Sequence, residues 1–348
     1  MAIGPAKRQT TDSGRGSGDR APFLPAPAPG LPVLAPDGPT AATLGSLFLR
    51  LQRMPFFWFL LPALIGYGIL FVYPTIRAFY LSLFDWSGVG SIGEFIGPRN
   101  FGDLLRSDRF WSAALHSGQL FLFIFVFQNT ISLGLAIMLN RRSRMTHIYR
   151  AIIFLPVIMS AVATGIIWIL MLDPIIGIVN PVLHDVGLGW LQREWQADPE
   201  WAMRTVMLVQ AWQWNGMAVV LYLAGLQNVP EDLKHAAMVD GARRWQVFRD
   251  ITFPMLAPAF TVVTVLSFIL IFRAFDLIYV LSGPQGAPDG ATLVIGVLIY
   301  GDAFGTSGFN SQPKMSYAIA EGVTLFIFLA GVSALLVSLL GRREEAIH

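Results

Sequence analysis

VPEDLKHAAMVDGARRWQVFRDITFP, residues Val229 to Pro254, is a charged, amphipathic run of about 26 residues between two apolar stretches long enough to cross a bilayer. Pro230 suits the first position of a helix, where a missing N–H leaves nothing unbonded. Glu231 and Asp232 follow it and complement the positive end of the helix dipole. Leu233, Ala236, Ala237 and Asp240 recur at i, i+3, i+4 and i+7 and so share one face. Gly241 is then expected to end this helix in a left-handed turn. A second helix from Ala242 to Thr252 carries Trp245, Phe248 and Ile251 at three-residue intervals, and Pro254 is expected to end it. The reading is helix, glycine corner, helix, set between two spans. The plainer alternative is an amphipathic pair resting on the membrane, which leaves Asp240-Gly241-Ala242 without a reason.

Composition agrees with a membrane setting. Of 348 residues 54% are hydrophobic and only 13% charged, and the mean hydropathy is +0.58. Soluble chains carry roughly a quarter charged residues. A net charge of +2 argues against a nucleic-acid partner. The absence of cysteine excludes disulfides, thiol catalysis and cysteine-ligated metals.

Residues 1–53 read as a disordered, proline-rich tail, with Pro22, Pro25, Pro27, Pro29, Pro32, Pro36 and Pro39 close together. No apolar core follows Lys7 and Arg8, so a signal peptide is not expected there. Residues 54–348 read as an all-α membrane domain of six spans. These are Phe56 to Leu83, His116 to Leu139, Tyr149 to Leu172, Ala202 to Leu226, Met255 to Leu281 and Tyr317 to Leu340. Pro62, Pro74 and Pro156 are expected to kink their spans. Between the last two spans, Ala291 to Tyr300 is apolar but too short to cross, so it reads as re-entrant, interfacial or cap-like.

Positive charge sets the orientation. Lys7, Arg8, Arg15, Arg20, Arg50 and Arg53 lie in the tail, Arg141, Arg142, Arg144 and Arg150 between the second and third spans. Lys234, Arg243, Arg244 and Arg249 lie in the 229–254 segment, and Arg342 and Arg343 at the end. In a six-span chain these all share one side, so both termini and the 229–254 loop are expected to be cytoplasmic. The opposite loops mix Arg99, Arg106, Arg109, Arg193 and Lys314 with acids.

No catalytic constellation is present: there is no phosphate-binding glycine loop ending in Lys-Ser or Lys-Thr, no Gly-x-Ser-x-Gly and no histidine spacing suited to a metal. The chain is therefore read as a non-enzyme. Candidates for function are polar groups inside spans, which are costly in lipid. Gln210, Trp212, Gln213, Trp214 and Asn215 stand together in the fourth span. Indole faces stack on the C–H faces of sugars, and amides bond hydroxyls in both directions. Gln210, Gln213 and Trp214 are close enough in register to share a face. The alternative is adhesion between helices, the reading also given to Gln128 and Asn129. In the fifth span, Arg273 and Asp276 at i, i+3 suit an ion pair on one helix face, with Phe272, Phe275 and Tyr279 adding aromatic surface.

Ala236, Ala237, Asp240, Gly241, Ala242, Phe248, Ile251 and Pro254 resemble the "EAA" loop of ABC importer permeases. His235 stands where that family usually has Glu, which removes an expected carboxylate but leaves the docking geometry unchanged. The segments DWSG and FIGPRNFGDLL, and the run before Leu281-Ser282-Gly283-Pro284, are also similar to carbohydrate permeases of the maltose and oligosaccharide kind. The resemblance covers about residues 56 to 341. It implies a type I importer fold with six spans in the bacterial cytoplasmic (inner) membrane. It also implies a second permease subunit, two ATPase subunits that hold ATP and Mg, an extracytoplasmic binding protein and a carbohydrate substrate. No cofactor is expected on this chain. By this resemblance Leu233, His235 and the motif residues couple the spans to the ATPase. The alternatives are an ion- or proton-coupled transporter, which needs a carboxylate relay for which only Asp276 and Glu321 offer themselves, and a membrane-embedded glycan or lipid enzyme, which needs clustered acids or histidines.

Overall fold

The structure is a computed structural model that describes residues 55–140, 144–306 and 312–345. The proline-rich tail read in residues 1–53, together with Arg141 and Arg142, lies outside the described residues. Two units are distinguished, residues 1–64 and 65–348. In the first unit the described residues are the opening turns of helix α1, Pro55–Tyr67. This helix runs through a wide turn, Gly68–Val72, into α2, Tyr73–Leu81, so that Trp58–Leu81 is one apolar helix.

The rest of the second unit is helical. Its elements are α3, Arg99–Leu105; α4, Asp108–Leu139; α5, Arg144–Ile158; α6, Ala161–Leu172; and α7, Val179–Asp185. There follow α8, Pro199–Gln227; α9, Glu231–Val239; α10, Arg244–Val247; and α11, Phe253–Met255. The last are α12, Ala257–Phe272; α13, Asp276–Ser282; α14, Ile295–Phe304; and α15, Met315–Glu345. Among the described residues, four helices are long and apolar enough to cross a membrane unaided, and two bent pairs raise that to as many as six.

Local chemistry explains the long helices. Ser107 caps α4 by accepting from the Phe110 N–H, and Asp198 caps α8 by accepting from the Glu200 N–H, with Pro199 at the first position. The buried stripe of α4 includes Ala113, Ser117, Ser132 and Ala136, small residues that let neighbours approach. Along α8, Gly216 lies so close to the Ile153 carbonyl that an added Cβ would sit 2.5 Å from it. About two and a half turns further on, a Cβ added at Gly225 would lie 2.8 Å from the Ala259 Cβ. Helix α8 thus packs on α4, α5 and α12 and forms the axis of the unit.

Two expected spans are broken. The third is not one kinked helix from Tyr149 to Leu172. It turns by 99° between α5 and α6, where Ser160 is extended. Pro156 has no N–H for the helix ladder, and Gly165 lets α6 close directly on Val280 of α13. The fifth does not run to Leu281. Helix α12 stops at Phe272, Phe275 leaves helical geometry, and α13 starts afresh at Asp276. Gly296 of α14 presses on the Ala274 carbonyl, with no room for a Cβ, so the break receives a neighbouring backbone. The apolar run Ala291 to Tyr300 accordingly contributes to a buried element: Val297 and Leu298 belong to the core with Phe268, Phe272 and Ile278.

Candidate functional site

The 229–254 segment folds as helix, corner and helix, with two departures from expectation. Pro230 caps α9 instead of opening it. At the other end of α9, the Gly241 N–H bonds the Met238 carbonyl and the Ala242 N–H bonds the Ala237 carbonyl. With Gly241 at φ +88, this is the paired closure that favours glycine after a helix. The space around Gly241 is open, so the requirement is for its backbone angle alone. Downstream, the Arg243 N–H is capped by Gln246 Oε1 at 2.7 Å. The second helix widens through Phe248–Thr252, where the Phe253 N–H reaches the Phe248 carbonyl. That extra residue accommodates Pro254, which therefore does not end the helix; the chain continues to Met255 and bends by 59° into α12.

Burial in this segment is one-sided. Val247, Thr252 and Leu256 are buried against the bundle. Leu233 is 47% and Val239 87% exposed, and Met238 and Trp245 are also open. His235, Ala236 and Asp240 are exposed, while Ala237, Ala242, Phe248 and Ile251 are half-buried. Large apolar side chains on a charged helix pair are thus left uncovered by the chain's own core.

The polar residues of α8 divide into two groups. Gln213 is buried and donates weakly, at 3.4 Å, to the Met159 carbonyl and to Thr164 Oγ1 at the α5–α6 break. Gln210 is buried one turn away, and the Oε1 atoms of both glutamines receive no hydrogen bond. Trp212 meets Trp168 of α6 edge to face, centroids 5.5 Å apart. On another side, the Trp214 carbonyl accepts from Gln128 Nε2 at 3.0 Å, and Gln128 Oε1 accepts from Ser267 at 2.8 Å. Asn215 Oδ1 accepts from Ser132 at 2.6 Å. Trp214 lines a recess of about 290 Å³ with Gln128, Met217, Leu221, Ser267 and Leu270. Gln210 stands at i, i+3 from Gln213 and at i, i+4 from Trp214, so each pair shares a face, while Gln213 and Trp214 themselves lie about 100° apart. Asn129 accepts from the buried Tyr222 hydroxyl.

Arg273 and Asp276 do not form the expected ion pair on one helix face. They flank the break between α12 and α13, and both side chains are exposed. Tyr279 packs on Phe275 and Tyr300, joining α13 to α14.

One charged group escaped the reading of the sequence. Arg109 at the start of α4 pairs with Asp302 of α14 at 3.3 Å, and Glu321 of α15, 1% exposed, has this pair as its charged neighbours. Glu321 was visible as the acid in an apolar span. Its partners were not, since Arg109 and Asp302 are 193 positions apart.

A bundle of apolar helices with broken spans and one outward-facing charged helix pair is the architecture of a transport permease. The chain belongs to the family of binding-protein-dependent transport system inner membrane components, whose model matches residues 128–344. It is 31% identical over 296 residues to the lactose transport system permease protein LacF of Rhizobium radiobacter, covering 85% of this chain and 97% of that one. It is 30% identical over 289 residues to AmyD of Thermoanaerobacterium thermosulfurigenes, a probable starch degradation products transport system permease, covering 83% and 94%. Among solved structures it is similar to a bacterial alginate ABC transporter crystallised with an alginate pentasaccharide-bound periplasmic protein. There the TM-score is 0.69 at 25% identity, with 86% of this chain and 98% of that chain covered.

Proposed function

We propose that this chain is one of two permease subunits of an ATP-driven importer for an oligosaccharide or related carbohydrate. The reading is supported by relatives that carry starch products and lactose. The observation that carries it is the exposure of Leu233, Met238, Val239 and Trp245 in the 229–254 segment, left open by the chain's own fold. In this reading ATP closes a pair of ATPase subunits bound to α9 and its counterpart on the second permease. Helix α9 is short and closed by the Gly241 corner, so it moves as a rigid lever. The bend at Leu256 passes the displacement to α12. A binding protein delivers sugar from outside, and the spans switch between inward- and outward-facing states across six membrane crossings.

Gln210 and Gln213 are the pathway residues the geometry favours, because each offers a buried amide oxygen that a hydroxyl can satisfy. Trp214 and its recess offer an apolar wall, whereas Asn215 serves the contact between α8 and α4. The open side chains of Arg273 and Asp276 stand at the junction of α12 and α13, where a polar substrate can reach them, and Tyr279 fixes α13 to α14.

The test is purification of the tagged chain in mild detergent, identification of its partners and reconstitution in liposomes. Co-purification of an ATPase and a second permease, with ATP hydrolysis stimulated by a sugar-loaded binding protein, is the expected result. Uptake by the chain alone without ATP overturns the reading in favour of a coupled secondary transporter.

A further inference from the structure

We propose that residues 173–190, between α6 and α8, form an anchor that seats in the outer leaflet of the membrane. The assignment of leaflet rests on the orientation argued above, with the 229–254 segment cytoplasmic; the seating itself rests on geometry.

The segment is rigid at both ends. Asp173 closes α6 by accepting the N–H groups of Ile175 and Ile176 at 2.8 and 2.9 Å. These backbone bonds, that from Ile176 the stronger influence, hold its carboxyl below the usual carboxylate range. Gly177 folds back so tightly that a Cβ would lie 2.3 Å from the Asp173 carbonyl oxygen. The turn therefore has one shape, and it leaves Ile175 and Ile176 90% and 70% exposed. Behind it, α7 is pinned to the approach to α8. Asn180 accepts from Trp195 Nε1 and donates to the Arg193 carbonyl, and Gln192 donates to the Asn180 carbonyl. Thr205 on α8 donates to the Trp195 carbonyl. The guanidinium groups of Arg193 and Arg204 lie over the Trp201 ring at 5.4 and 4.9 Å.

This scaffold holds up an aliphatic surface. Ile178, Val182, Val186 and Trp190 are exposed in continuation of Ile175 and Ile176, with Val186 one turn beyond Val182, just past the end of α7. Exposed apolar area held by a rigid frame marks an interaction surface. Its chemistry favours lipid over protein: branched aliphatics with a single indole suit the boundary between acyl chains and headgroups, and of the residues that protein interfaces favour, Tyr, Phe, Met and Arg are absent from 173–190 and only Trp190 is present. Its position agrees. The segment starts where α6 ends, and α6 itself exposes Ile166, Ile167 and Leu170, so the apolar surface continues from the span onto the plate. His184 and Asp185 are exposed on α7 and supply the polar flank.

The chain has no cysteine, so an introduced thiol is its unique labelling site. Nitroxide-labelled Ile176→Cys, Val186→Cys and Asp185→Cys would be placed in the assembled importer in nanodiscs of phosphatidylethanolamine and phosphatidylglycerol. Collisional relaxation is then compared for lipid-soluble oxygen and a water-soluble nickel chelate. The expected result is a several-fold higher oxygen-to-nickel ratio at 176 and 186 than at 185, unchanged by binding protein. Nickel-dominated relaxation at 176 and 186 overturns the proposal. Immobilisation only on addition of binding protein overturns it in favour of a protein-docking face, and protection from both reagents in favour of a subunit contact. Orientation is read separately, by labelling Met238→Cys of the chain expressed without its ATPase with an impermeant maleimide in right-side-out and inverted vesicles. A reversed result there moves the anchor to the inner leaflet without removing it.

Discussion

Helices α9 and α14 are nearly the same length, nine and ten residues, and neither can cross a membrane or hold itself together in isolation. Their surroundings differ. Val297 of α14 is fully buried, the Ile295 N–H is met by Ser117 Oγ, and the Leu293 carbonyl lies 3.0 Å from His116 Nδ1. Helix α9 leaves Leu233, Met238 and Val239 open. The chain itself supplies the burial that α14 needs. In the proposed reading, the burial of α9 comes from another protein. A short helix closed by its glycine corner and with no buried residue is, in that reading, a lever before its load is attached.

The largest expected effect lies on the buried side of this comparison. Val297→Asp places an uncompensated charge in the core, at a cost of roughly 3–5 kcal/mol, and is expected to abolish a monodisperse peak in detergent size-exclusion chromatography. Leu233→Asp, by contrast, should leave that peak unchanged and lose the co-purifying ATPase. Equal damage to the fold by both substitutions would erase the distinction between the two helices.

Gly241→Val comes next. No atom obstructs the new side chain, so the strain is that of left-handed backbone at an L-residue, about 1–2 kcal/mol. The expected outcome is a chain that assembles and supports ATP hydrolysis while uptake falls by an order of magnitude or more, with Gly241→Ala in between. Normal uptake in the valine variant would remove the corner from the coupling mechanism.

A smaller effect is expected along α8. Gln213→Leu removes an unsatisfied buried acceptor, so thermal stability in detergent should hold or rise slightly while sugar uptake falls several-fold. Trp214→Ala should weaken uptake with the subunits still assembled; loss of the second permease from the complex would instead make the recess a subunit contact.

The smallest concerns Asp173. A carboxyl depressed by bonds made in the folded state contributes stability that is present above its unfolded value and lost as pH falls through the folded one. Removing it by Asp173→Asn should flatten the acid limb of a melting curve below about pH 4, by lowering stability slightly at neutral pH and leaving the acid end nearly unchanged. An unaltered acid limb would show that the turn at Ile175 and Ile176 holds without the charge.

The Gly241 corner was legible because its cause is local: a glycine after a helix, with the chain closing on Ala237. The caps at Ser107 and Asp198 have equally local causes, although the sequence analysis did not single them out. The breaks in the third and fifth spans were not legible, because each is completed by a distant partner. Gly165 fits Val280, and Gly296 fits the Ala274 carbonyl, and neither glycine announces its neighbour. The same limit explains Arg273 and Asp276, whose i, i+3 spacing means a shared face only while the helix continues. Along α8 the polar residue types were evident, but their division between two sides depends on where α4 and α5 lie. Leu256, where the 59° bend falls, carries no breaker at all; Pro254 and Pro258 merely bracket it.

The most direct measurement is thiol labelling of Met238→Cys in the chain alone and in the complex with its ATPase, by mass-spectrometric rate. The account predicts rapid modification of the lone chain and strong protection in the complex, with Trp245→Cys behaving alike. Equal rates in both states would contradict it, leaving the exposed edge of α9 without a partner and the lever without a load.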